Sequence, residues 1–86
     1  MRDLASLRTE IDQLDQQLWA IIGQRVDVAR AIGEWKRTHG EQIVQPQRYQ
    51  QVVENCIAAG QKYGLSEKLV REVMELLHNE SVRVES

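Results

Sequence analysis

Arg25 occupies a rung that the surrounding pattern reserves for an apolar residue. The chain runs Leu4, Leu7, Ile11, Leu14, Leu18, Ile21, Arg25, Val28, Ile32, Trp35, a three-four spacing held over about four heptads. An unpaired charge buried along such a seam costs several kcal/mol, so an anion must answer it, either a carboxylate of the protein or a ligand. Lys36 follows Arg25 by about three helical turns, which puts both cations on one face roughly 16 Å apart along the axis. Inclined toward each other, the two side chains can bracket a dianion of about 8 Å, the size of a substituted six-membered ring. The plainer reading of Arg25 is an internal salt bridge to Asp15, Asp27 or Glu80, and that of Lys36 is an exposed lysine.

Near the end of the chain, Leu77, Ser81 and Glu85 follow one another at four-residue steps and so form one helical stripe, apolar, then hydroxyl, then carboxyl. Taken alone, Ser81 reads as a solvated or back-bonded serine and Glu85 as a frayed terminal residue. Arg8 and Arg48 read as common surface arginines.

The elements that must position these groups are helices. Between about Asp3 and His39 there is no proline, and only Gly23 and Gly33 interrupt a strong helical period, which predicts one long helix. Each glycine costs roughly 1 kcal/mol inside a helix, so each is expected to permit close packing or a mild kink. Gly40 suits the helix end and Pro46 the first position of the next helix, leaving a loop of about six residues. A second helix is expected from about Pro46 to Tyr63, ended by Gly64 and burying Val52, Val53, Cys56, Ile57 and Gly60. Ser66 is the expected N-cap of a third, with Leu69, Val70, Val73, Met74, Leu76, Leu77 and Val84 on its inner side. No strand pattern competes, so the fold class is all-α, with one long and two shorter helices. Trp19 and Trp35 are expected to be packing residues.

Composition narrows the possible functions. With 86 residues, 42% of them hydrophobic, and no apolar run of membrane-spanning length, the chain reads as a single soluble domain over residues 1–86. The opening Met1-Arg2-Asp3-Leu4 lacks a signal-peptide core, so a cytoplasmic location is expected. Lone Cys56 reads as buried filler, and His39 and His78 have no metal-ligand spacing, so no metal site is expected. A net charge of −2 argues against nucleic acid. A helix of about 36 residues would be about 54 Å long, more than so small a domain can cover. A second copy of the same helix is the simplest cover, which predicts an obligate, two-fold homodimer.

The run Leu7-Arg8-x-x-Ile11-Asp12-x-Leu14-Asp15-x-x-Leu18, followed by Arg25, Lys36, Pro46-x-Arg48 and Glu80-Ser81, resembles the small all-helical chorismate mutases from about Leu4 to Glu85. The opening motif is fairly specific, and the later positions are single residues. The resemblance implies an intertwined homodimer of three-helix subunits with two sites, each borrowing Arg8 from the partner chain. It also implies an isomerase of aromatic amino acid biosynthesis that converts chorismate to prephenate without nucleophile, metal or cofactor. By that resemblance, Arg8 and Arg25 hold the two carboxylates, which guanidinium forks suit. Lys36 approaches the ether oxygen, Ser81 assists a carboxylate, and Arg48 supports the pocket wall. Ideal geometry agrees on Arg8: seventeen positions before Arg25, it is rotated by about 100° and displaced by roughly 25 Å, out of reach of the same site unless an antiparallel partner presents it.

Three positions differ from the commoner family pattern. Glu85 stands where many members have a glutamine that donates to the ether oxygen; a carboxyl donates only when protonated, so activity is expected to rise toward acidic pH. Tyr49 stands where a glutamate often contacts the ring hydroxyl, and Gln45 where an aspartate is frequent. Either Tyr49 or loop backbone then reads that hydroxyl, or the substrate is a relative of chorismate. An isochorismate pyruvate lyase and an aminodeoxychorismate mutase are the alternatives within the fold. A non-catalytic helical dimer, serving as a regulatory or scaffold module, is the alternative of another class.

Overall fold

The computed structural model describes residues 2–86, which form three α-helices: α1 (Leu4–His39), α2 (Pro46–Gln61) and α3 (Glu67–Glu85). Among the described residues there is no strand, and no helix is long and apolar enough to cross a membrane. Each boundary has a local cause. The Asp3 carboxylate caps α1 by accepting from the Ser6 N–H at 2.8 Å. At the other end Gly40 takes a left-handed conformation (φ 69°), and both its N–H and that of Glu41 bond the Lys36 carbonyl. Lys36, Arg37 and His39 lie in this last turn, where cations complement the helix dipole.

Pro46 opens α2, whose missing N–H costs nothing at that position. The helix ends at Gln61 rather than Tyr63. The N–H groups of Lys62, Tyr63 and Gly64 tighten onto carbonyls three residues back, and Gly64 turns the chain with φ 73°. Ser66 Oγ then accepts from the Leu69 N–H at 3.1 Å, capping α3 as expected.

Helix α3 packs against both α1 and α2. Between α2 and α3 lies a small core of Val53, Ile57, Val70 and Met74, flanked by Tyr49, Val52, Cys56 and Leu77. Cys56 is half-buried there rather than fully enclosed. Against α1 the approach is closer still: a Cβ on Gly33 would lie 2.6 Å from the Glu85 Cα, so only glycine lets the two backbones come so near. Gly23, by contrast, has open space around it within the protomer.

The apolar stripe of α1 is left largely bare. Ile11, Leu14, Leu18, Ile21 and Val28 are exposed, as are Leu69, Val73 and Leu76 of α3, which the sequence places on its inner side. Trp19 and Trp35 are also exposed, although Trp35 stacks on His39 with ring centroids 4.0 Å apart. The protomer measures 57 × 23 × 15 Å with a radius of gyration of 16.2 Å. A compact chain of this length would have a radius nearer 12 Å.

Candidate active site

The middle and end of α1, the start of α2 and the last turns of α3 surround an open cavity of about 400 Å³. Its polar lining comprises Arg25 and Lys36 from α1, Gln45 from the connecting segment, Arg48 and Tyr49 from α2, and His78, Ser81 and Glu85 from α3. Val28, Ala29, Ile32, Val52, Met74 and Val82 supply apolar walls. The volume lies within the range of small-ligand sites.

Arg25 has no ionic partner among the described residues. It donates from Nη1 to Ser81 Oγ at 2.8 Å and to the Leu77 carbonyl at 3.3 Å. The carboxylates that sequence offers as partners are not used: Asp27 bonds Arg30, and Glu80 bonds Arg83. That hydrogen bond from Arg83 also holds the Glu80 carboxyl below its ordinary value and raises the guanidinium. A half-buried guanidinium thus lines the cavity with no carboxylate bonded to it, oriented by two neutral oxygens.

Lys36 is fixed more tightly. Its ammonium donates to the Ile43 carbonyl at 2.8 Å and to Glu85 Oε1 at 2.9 Å, with 15% and 9% of the two side chains exposed. Glu85 is a buried residue at the end of α3, not a frayed one. Its backbone is clamped twice, by Gly33 packing against its Cα and by Arg37 Nη1 donating to its carbonyl at 2.6 Å. Residues far apart in sequence therefore deliver one ammonium and one carboxyl to the same end of the cavity, while a guanidinium and a hydroxyl hold the other. Such a chamber suits a small polyanion with an oxygen that gains charge beside the ammonium.

Residues 7–86 match the family described as chorismate mutase type II. The chain belongs to that family. Among similar proteins is the T-protein of Haemophilus influenzae, 31% identical over 81 residues, which are 94% of this chain and 22% of that protein. Another is the 4-amino-4-deoxychorismate mutase of Streptomyces pristinaespiralis, 30% identical over 95% of this chain and 64% of its own length. The protein of the same name from Streptomyces venezuelae is 30% identical over 96% of this chain and 81% of its own. The chain therefore spans about a fifth of the first relative and just under two thirds of the second.

Seven of the eight residues that the chorismate mutase resemblance assigns to the site line this one cavity: Arg25, Lys36, Gln45, Arg48, Tyr49, Ser81 and Glu85. Arg8 does not; it is exposed on the first turns of α1, away from the cavity of its own chain. Sequence reasoning missed His78, whose ring stacks on Tyr49 with centroids 4.0 Å apart and an interplanar angle of 28°. It also missed the Arg37 and Gly33 clamp on Glu85. His78 precedes Ser81 by three positions and so shares its helix face, a signal open to reading once Ser81 was a candidate.

Proposed function

We propose that this chain catalyses the Claisen rearrangement of chorismate to prephenate, acting as a homodimer in which each site is completed by Arg8 of the partner. The observation that carries the reading is the charged Arg25 guanidinium, left without a carboxylate and aimed at a cavity that Lys36 closes at its other end. In the reaction a carbon-carbon bond forms between the enolpyruvyl side chain and the ring while the ether carbon-oxygen bond breaks, with no atom gained or lost. No group has to attack the substrate. The protein's task is to hold the reactive fold of the molecule and to meet the negative charge that grows on the ether oxygen.

Each lining group has a part. Arg25, oriented by Ser81, holds one substrate carboxylate in bidentate fashion, and the partner's Arg8 holds the other. Lys36, already held by the Ile43 carbonyl, donates to the ether oxygen with little reorganisation. Glu85 sits beside it and contributes a second donor when protonated; ionised, it opposes the developing charge. Arg48 supports the wall across from α1, while Gln45 and Tyr49 face the ring.

Incubating the purified protein separately with chorismate and isochorismate tests the reading. Prephenate from chorismate is the expected product; salicylate and pyruvate from isochorismate, with no prephenate, would overturn it. The names of the two Streptomyces relatives favour a second reading, in which the same rearrangement acts on the 4-amino analogue of chorismate.

A further inference from the structure

One stretch of α1 holds Glu85 at three points. Gly33 packs so closely that an added Cβ would lie 2.6 Å from the Glu85 Cα, Lys36 donates to Oε1 at 2.9 Å, and Arg37 Nη1 donates to the backbone carbonyl at 2.6 Å. Gly33 and Arg37 are four positions apart and share a helix face, with Lys36 beside them toward the cavity. The three holds fix different things. The Gly33 contact sets how near the two backbones come, and the Lys36 bond joins one side chain to the other. The Arg37 bond acts on the peptide plane of residue 85. Carbonyl and Cβ belong to the same residue, so holding that plane sets the direction in which the carboxyl is sent. Arg37 itself does not line the cavity, and among the described residues it forms no ion pair.

Resting on the mutase reading, we propose that Arg37 is a positioning residue for the rearrangement: by gripping the Glu85 carbonyl it directs the carboxyl onto Lys36 and keeps the ammonium aimed at the ether oxygen, without touching substrate. Lys36 depends on such help because its ammonium rides on a flexible four-carbon stem. Two acceptors aim it, the Ile43 carbonyl at 2.8 Å and Glu85 Oε1. A carboxyl keeps an accepting oxygen whether ionised or protonated, so this aiming role does not depend on its charge. Arg37 is suited to the task because a guanidinium bond to a carbonyl is charge-assisted.

The test is steady-state kinetics with chorismate, each rate divided by the folded concentration that circular dichroism gives at the assay temperature. Arg37→Met keeps the aliphatic stem and removes the donors. It is expected to lower kcat by about tenfold and leave KM within about twofold, because the groups that grip the carboxylates are untouched. Arg37→Lys, which still donates to a carbonyl, is expected to recover kcat to within about threefold of wild type. Added to Glu85→Ala, Arg37→Met is expected to change kcat by less than about twofold, since no carboxyl remains to be directed. A lowered melting temperature with kcat per folded protomer unchanged would make Arg37 structural alone and overturn the proposal. So would an equal loss with and without the Glu85 carboxyl, the mark of a charge acting through space on the substrate dianion. In either case prephenate from the wild-type protein leaves the mutase reading standing. Wild-type protein that leaves chorismate unchanged overturns that reading and the positioning role with it.

Discussion

At the scale of single residues, the two cavity cations respond differently to removal because they are held differently. Arg25 leans on two neutral oxygens, so Arg25→Ala leaves no orphaned carboxylate. It is expected to lower kcat/KM by about a hundredfold or more while the melting temperature stays level or rises. A structural bridge would instead show as lost stability with turnover preserved. Lys36→Ala removes the cation bonded to the Glu85 carboxyl, which is expected to cost about 1–3 kcal/mol of stability as well as turnover. Gly33→Ala is the sharpest steric case: the new Cβ would sit 2.6 Å from Glu85 Cα and 2.8 Å from its carbonyl oxygen. Neither is a flexible side-chain end, so a loss of about 1–3 kcal/mol is expected in thermal or denaturant unfolding. Glu85→Gln exchanges a carboxyl that donates only when protonated for an amide that donates in any state, so kcat/KM at neutral pH is expected to be held or raised. A fall of about tenfold or more would remove a donor at this position from the reaction.

At the scale of elements, α1 is the part on which the others depend. One uninterrupted helix carries Arg8, Arg25 and Lys36 at set heights, and caps at both ends keep its register. Helix α3 then supplies the complementary hydroxyl and carboxyl, and its N-cap is the point at which that helix is entered. Ser66→Ala removes the hydroxyl that satisfies the Leu69 N–H and is expected to cost about 1 kcal/mol. Circular dichroism melts would show a midpoint lowered by several degrees, with kcat/KM at low temperature little changed. The connecting segment matters chemically as well, because the Ile43 carbonyl is one of the two acceptors that aim Lys36.

At the scale of the whole molecule, the proposed homodimer accounts for both the unpartnered stripe along α1 and the isolation of Arg8. An exposed apolar row from Ile11 to Ile21 is a surface that a soluble chain covers with a partner, and an antiparallel second copy would cover it while bringing Arg8 to the open cavity. Leu18→Glu is accordingly expected to abolish dimer formation and turnover together, as read by sedimentation and by prephenate production at equal protein concentration. Full turnover from a monomer would end the proposal of a shared site. Mixing Arg8→Ala with Arg25→Ala asks the same question by complementation. Each homodimer is inactive, and randomly exchanged subunits should recover roughly a quarter of the wild-type sites, because each mixed dimer has one intact pair of arginines.

The three helices and most of their boundaries were legible in the chain itself, since Gly40, Pro46, Gly64 and Ser66 act through backbone chemistry a few residues away. Arg25 was legible for a related reason: a charge interrupting an apolar period is visible without knowing what faces it. What faces it was not. Whether Arg25 met Glu80 or Ser81 depended on the rotation of α3 against α1, and that rotation is set by the Gly33–Glu85 approach and by packing around Met74. The same packing buried Glu85 and stacked His78 on Tyr49, pairings about fifty and thirty residues apart along the chain that no local spacing encodes. Periodicity is a property of one helix, whereas a site shared among three is decided only when side-chain volumes fix how the helices sit on one another.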